Sequence, residues 1–277
     1  MSFLQKVYYR IISRRIMYPS ISSGYFWDAK IKERLDNPKF LESYGQKYYS
    51  QNDEDGIIAE IFNRIGTTDK RFIEFGVQDG LESNSHLLLH KGWTGLWIEG
   101  SKKYFKRIQK NFETVINKNQ LKAHNGFITC DNINSIFETH NFCGEIDLLS
   151  IDIDGNDYHI FEKITGGGVI SPRVVVIEYN AKFPPDCEWI IQYNPYYQWD
   201  GSDNHSASLR SLELLAYLKG YQLVGTNYCG VNAFFVRKDL TKDLFPLPAT
   251  AENLYNPFRY GNIIYTNGYF AKKCLIN

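Results

Sequence analysis

The sequence predicts an α/β fold: a doubly wound, mainly parallel sheet with helices on both faces. Two observations carry this. Short apolar runs that read as buried strands alternate with stretches whose apolar residues recur at helical spacing. The densest clusters of glycine and acidic residues follow directly after those runs, and open parallel sheets bind their ligands outside the carboxyl ends of the strands. A chain of 277 residues, 43% hydrophobic, is long enough to bury one sizeable α/β core.

Residues 1–50 are polar and aromatic and read as a helical lead-in. The α/β domain is expected over 51–245, and 246–277 is expected as an extension packed on it. Apolar residues at 57, 58, 61, 62 and 65 lie on one helical face, with Asn52 or Asp53 as the cap. Residues 71–75 then read as a buried strand, 82–91 as a helix, 95–99 as the second strand and 102–113 as the second helix. Residues 121–128 are the third strand. Residues 146–151 are the fourth, followed by a helix near 156–164. The run from Arg173 to Glu178 is rich in β-branched residues and is the fifth strand. A helix at 206–219 leads to two strands, 221–226 and 232–237, around a turn at Gly230.

Bulk properties exclude several classes. The 31 basic and 31 acidic residues cancel, so the general electrostatic signature of nucleic-acid binding is missing. Five scattered cysteines (130, 143, 187, 229 and 274) form no CxxC pair, which points to a reducing compartment, the cytoplasm, rather than a disulfide framework. No apolar run reaches transmembrane length. The basic, aromatic N-terminus lacks the apolar core of a signal peptide. It is expected to pack on the domain or on a second subunit, with peripheral membrane contact as the alternative.

The first strand ends in Glu74-Phe-Gly76-Val-Gln78-Asp79-Gly80. Glycines there permit a tight turn and a close approach of backbone to ligand, and a side chain at Gly76 is expected to block the ligand without unfolding the chain. Glu99 ends the second strand, 20 residues after Asp79, where a carboxylate can accept hydrogen bonds from both hydroxyls of a ribose. Dinucleotide sites need a glycine where this chain has Gln78. Glu74 and Asp79 would repel phosphate and suit a cationic ligand end, such as the sulfonium and amine of S-adenosylmethionine.

The segments Glu74–Gly80, Trp97-Ile-Glu99, Asp147–Gly155 and the upstream Ser50–Gly56 together resemble the FkbM-like class I methyltransferases over about residues 50–237. The resemblance implies a Rossmann-like sheet of seven strands with the last hairpin strand antiparallel. It implies S-adenosylmethionine as cofactor and transfer of its methyl group to an oxygen of a sugar or secondary metabolite. It places Glu74, Gly76 and Gly80 around the methionine part, Glu99 at the ribose, and Ile128 and Thr129 at the adenine, with Gln51, Asp79, Asn84, Gly100 and Asp152 as further cofactor-binding candidates.

The run Asp152-Ile-Asp154-Gly155-Asn156-Asp157 is similar to the metal-binding segment of catechol-type O-methyltransferases. With Glu178 and Asn180 after the fifth strand, Asp152 offers hard oxygen ligands for Mg²⁺, Mn²⁺ or Ca²⁺. The spacing differs from the adjacent Asp-Asn pair of those enzymes, and Gly155 stands where they carry a lysine base. His205 or Asp154 is therefore the expected base, and His159 is expected to be structural. The long segment 181–205 is expected as a binding loop, with Tyr193, Tyr196, Tyr197 and Trp199 over a sugar ring. The function read from the sequence is thus an S-adenosylmethionine-dependent O-methyltransferase acting on a sugar or a precursor of a surface polysaccharide or metabolite. Its alternatives are a non-catalytic nucleoside-binding module of the same fold and an NAD-dependent oxidoreductase. A homo-oligomer is compatible with either.

Overall fold

The computed structural model describes residues 32–259. The chain divides into two units, Met1–Pro38 and Lys39–Asn277. The first is described only from residue 32, which begins a helical turn. The second holds the sheet and the core, in which Leu41 is fully buried.

Seven strands form one sheet in the order β3-β2-β1-β4-β5-β7-β6. They are β1 (Arg71–Phe75), β2 (Thr94–Glu99), β3 (Leu121–Asn125), β4 (Gly144–Ile151), β5 (Ile170–Glu178), β6 (Tyr221–Thr226) and β7 (Asn232–Arg237). The first five run parallel, and β7 inserts antiparallel between β5 and β6, as the resemblance implied. Crossover helices connect the parallel strands: α1 (Glu54–Ile65) ahead of β1, α2 (His86–His90), α3 (Lys102–Asn111) with α4 (Glu113–Asn117), α5 (Ile133–Thr139), α6 (Asp157–Thr165) and α7 (Leu209–Leu218). The short α8 (Lys238–Thr241) and α9 (Ala251–Leu254) follow the sheet.

The central strands are buried on both faces, which is why Val174–Ile177 of β5 reads as an unbroken apolar run instead of an alternating one. One ion pair ties the sheet's amino-terminal edge to α1. Fully buried Asp147 pairs with Arg173 and accepts the backbone N–H groups of Thr68 and Lys70 at 3.0 and 2.8 Å. Arg173 in turn donates to the carbonyls of Ile65 and Gly66, the free end of α1. Asp147 is therefore a structural residue, although it belongs to the motif that points to function.

Several elements differ from expectation. Residues 81–85 turn instead of starting a helix, so α2 is only five residues long. β3 stops at Asn125, since Gly126 and the loop after it leave the sheet. α5 was not anticipated. Asp53 occupies the cap position of α1 without a side-chain cap bond and instead accepts the N–H of Tyr228 at 3.2 Å. The four described cysteines are free thiols. No helix of the described residues is long and apolar enough to cross a membrane. The N-terminal stretch, Cys274 and most of the C-terminal extension lie outside the described residues.

Candidate active site

A cleft of about 790 Å³ opens at the carboxyl ends of β1, β2, β4 and β5. Its first wall is the turn after β1. Gly76 has φ +68°, and a Cβ there would lie 1.7 Å from the carbonyl oxygen of Asp152. Glycine is required because the β1 turn passes against the end of β4, and Gly76 also lines the cleft. Gln78 follows in the left-handed region at φ +51° and turns its N–H to Glu99 at 2.8 Å.

Glu99 is 6% exposed at the end of β2 and lines the cleft. One carboxylate oxygen accepts from Gln78 N–H, and the other accepts from Ser101 N–H at 2.7 Å. Burial raises its pKa while those two N–H groups oppose the shift. A carboxylate oxygen has more than one acceptor direction, so both oxygens keep capacity for further donors. Gln51, Gly100 and Ile128 line the same half of the cleft, as do Tyr104 and Phe127, which the sequence reading did not single out. Phe127 was legible as the residue before Ile128 beyond a strand end. A Cβ on Gly100 would meet its ring at 3.0 Å, so the glycine makes room for Phe127.

Five expected cofactor residues do not line this cleft. The carboxylate of Glu74 is buried behind the turn, where it accepts Asn84 N–H at 2.7 Å, Ser85 N–H at 2.9 Å and the Ser85 hydroxyl. Its charge fixes the 81–85 turn, and burial pushes its pKa to about 7. Asn84 is buried and donates to the Ser150 hydroxyl at 3.1 Å. Asp79 faces Arg107 at 3.4 Å. Gly80, at φ +80°, leaves room for the Trp97 ring, which a Cβ would meet at 2.5 Å. Thr129 exchanges hydrogen bonds with Asn132, the residue that precedes α5.

The opposite half of the cleft is acidic. Asp152, Asp154 and Glu178 each present a carboxylate oxygen, and the three lie within 4.8 Å of one another. Among the described residues no lysine or arginine pairs with them; their one basic neighbour is His205, whose Nδ1 is 3.4 Å from Glu178. Burial and then mutual repulsion raise the pKa of Asp152 and Glu178 well above ordinary carboxylates. Burial lowers that of His205, which keeps its ring neutral near pH 7. Asp157, at the start of α6, fixes the loop beneath them by accepting the N–H groups of Ile153 and Gly155, both at 2.9 Å. The Ser206 hydroxyl bridges Glu178 and Asp157.

Asn180 lines the same cleft, with its side chain bonded to the loops beside the cluster. Its amide donates to the carbonyls of Asp203 and His205 at 2.8 and 3.2 Å, and its oxygen accepts Lys182 N–H at 3.2 Å. Asn180 thus holds the loop that carries His205, and Asp154 stands with Asp152 and Glu178 in the acidic set. A left-handed φ of +55° at Asp154 turns the chain there, a conformation that aspartate tolerates. Of the four loop aromatics, Tyr197 and Trp199 line the cleft. Tyr193 turns away to accept Cys130 N–H at 3.1 Å, and Tyr196 is exposed. His159 bonds the carbonyl of Ile191 at 2.8 Å, a structural role as expected. Phe258, from the C-terminal extension, and Val231, from the β6–β7 turn, complete the wall. Neither carries a sequence signal, because only the antiparallel insertion of β7 brings them there.

No protein-family model and no curated protein matches the chain. Among solved structures, it is similar to the N-terminal domain of EvdMO1 with SAH bound, at 11% identity, 77% coverage of this chain and 94% of that one, with a TM-score of 0.44. It is also similar to the METTL16 MTase domain, at 13% identity, 65% of each chain and a TM-score of 0.42. The C-terminal domain of precorrin-6Y C5,15-methyltransferase from Rhodobacter capsulatus matches at 15% identity, over 51% of this chain and 71% of that one, with a TM-score of 0.33.

Proposed function

We propose that the chain is an S-adenosylmethionine-dependent methyltransferase that methylates a hydroxyl of a sugar or sugar-containing metabolite. The observation that carries this is Glu99: a buried carboxylate at the end of β2, held by Gln78 and Ser101 and facing a cleft at the sheet's carboxyl edge. That setting supports a reading in which Glu99 accepts both hydroxyls of a ribose. No glycine-rich phosphate cradle accompanies it, and the acidic far wall favours a cationic ligand end.

Methyl transfer to oxygen is an in-line displacement. The hydroxyl oxygen forms a bond to the methyl carbon, the carbon–sulfur bond breaks, and the hydroxyl proton leaves to a base. His205 supports this chemistry. Burial keeps it neutral, and it faces Glu178, which would stabilise the imidazolium once the proton arrives. Asp154 is the alternative base.

Three clustered carboxylates without a paired lysine or arginine fit a hard divalent cation, so Asp152, Asp154 and Glu178 would hold Mg²⁺ or Mn²⁺. When bound, such an ion would lower the pKa of a hydroxyl beside it. Tyr197 and Trp199 would cover a sugar ring in the same half. Scattered, free cysteines support a cytoplasmic location. Calorimetric titration with S-adenosylhomocysteine tests the cofactor, and methyl transfer to a panel of glycosides tests the acceptor.

A further inference from the structure

The strongest charge feature outside the cleft is α3. Residues 100–112 contain four lysines and one arginine and no acid, in a chain whose net charge is zero. Projected at about 100° per residue, Lys102, Lys103, Lys106, Arg107 and Lys110 fall within an arc of about 140°. Ile108, buried, and Phe105, half-buried, project from the opposite side. All five cations are exposed, and among the described residues only Arg107 has a carboxylate partner, Asp79. Five like charges with one carboxylate partner among them destabilise a helix through its i,i+4 neighbours, so folding alone does not account for the row.

Two exposed apolar side chains adjoin this face. Phe127, 61% exposed, lies against Gly100, just ahead of α3. Leu81, 49% exposed, follows the Asp79–Gly80 turn that Arg107 touches. Exposed cations on one helix face, with exposed apolar residues nearby, are the chemistry that recognises an anionic lipid surface. A nucleic-acid backbone fits less well, because four of the five cations are lysines, without the planar fork that grips phosphate in two places. The sequence of the N-terminal stretch carries the same mixture, with Lys6, Arg10, Arg14 and Arg15 among Tyr8 and Tyr9.

We propose that the cationic face of α3 docks the protein on an anionic phospholipid bilayer, with Phe127 and Leu81 at the contact. Ser101 and Tyr104, in the first turn, also line the cleft, so docking brings the cleft's rim beside the membrane. The acceptor class that fits this arrangement is a hydroxylated headgroup or glycan carried on a lipid.

The test is co-sedimentation of the full chain with phosphatidylcholine vesicles, with and without about one third phosphatidylserine, at low and high salt. Binding is expected to the anionic vesicles only and to weaken with salt. The triple variant Lys102→Glu, Lys106→Glu, Lys110→Glu should partition about a hundredfold more weakly, at roughly fivefold per lost lysine before reversal is counted. Its circular dichroism and S-adenosylhomocysteine affinity should stay unchanged, since none of the three residues lines the cleft. Wild-type partitioning by the folded variant overturns the proposal, as does failure of the wild-type chain to bind anionic vesicles. Tighter binding to single-stranded RNA than to vesicles at equal phosphate concentration overturns it in favour of a nucleic acid.

Discussion

Gly76 and Asp152 meet across two adjacent strands: a Cβ on the glycine would stand 1.7 Å from the aspartate's carbonyl oxygen. The first turn of the cleft and the residue that heads its acidic wall are thus one mechanical unit. Gly76→Ala must part β1 from β4 or refold the turn, and its φ of +68° adds strain. The substitution is expected to destabilise the protein by at least about 3 kcal/mol, measured by urea denaturation. A variant of native stability that merely loses ligand would return Gly76 to the role the sequence suggested.

Glu74 makes stability depend on pH. Its pKa is about 7 in the folded protein against 4.5 for an unhindered glutamate, with burial as the chief cause. The folded state therefore binds the proton more tightly than the unfolded chain, so stability falls as pH rises from about 4.5 to about 7. A shift of that size corresponds to roughly 3 kcal/mol as an upper bound. Glu74→Gln should flatten the slope of unfolding free energy against pH over that window while lowering stability at pH 5, because one oxygen must replace two acceptors. An unchanged slope in the variant would show that the group does not titrate there.

These two residues also show what the sequence could convey. β1, β5, β6 and β7 were legible because their runs of β-branched and aromatic residues have no competing helical spacing. Glu99 was legible because a strand end fixes which way its carboxylate faces. Glu74 lies one residue short of the end of β1, and its buried carboxylate satisfies the N–H groups of Asn84 and Ser85. That pairing depends on a turn that periodicity does not describe. Asp154 joins Asp152 and Glu178 for a similar reason: composition names the oxygens, but a left-handed turn brings its carboxylate to theirs.

The acidic cluster should bind Mn²⁺ in calorimetric titration, and Asp154→Asn should weaken that binding at least about tenfold. Asn180→Ala should leave Mn²⁺ affinity within about threefold and act instead on turnover, because Asn180 secures the His205 loop. If Asn180→Ala abolished Mn²⁺ binding while Asp154→Asn did not, the original ligand set of Asp152, Glu178 and Asn180 would be restored.

His205→Asn should lower kcat by about 10²- to 10⁴-fold once an acceptor is in hand, with S-adenosylhomocysteine affinity retained. The loss should shrink at high pH, where hydroxide can take the proton. Full activity in the variant would leave the proton to Asp154 or to solvent beside a bound cation.

The most direct measurement is calorimetric titration of the wild-type chain and of Glu99→Ala with S-adenosylhomocysteine, with NAD as the contrasting ligand. The account predicts one molecule of S-adenosylhomocysteine bound per chain, no heat from NAD, and affinity lower by about 1.5–3 kcal/mol in a folded Glu99→Ala variant. Binding of NAD without S-adenosylhomocysteine, or equal affinity in the variant, would contradict it.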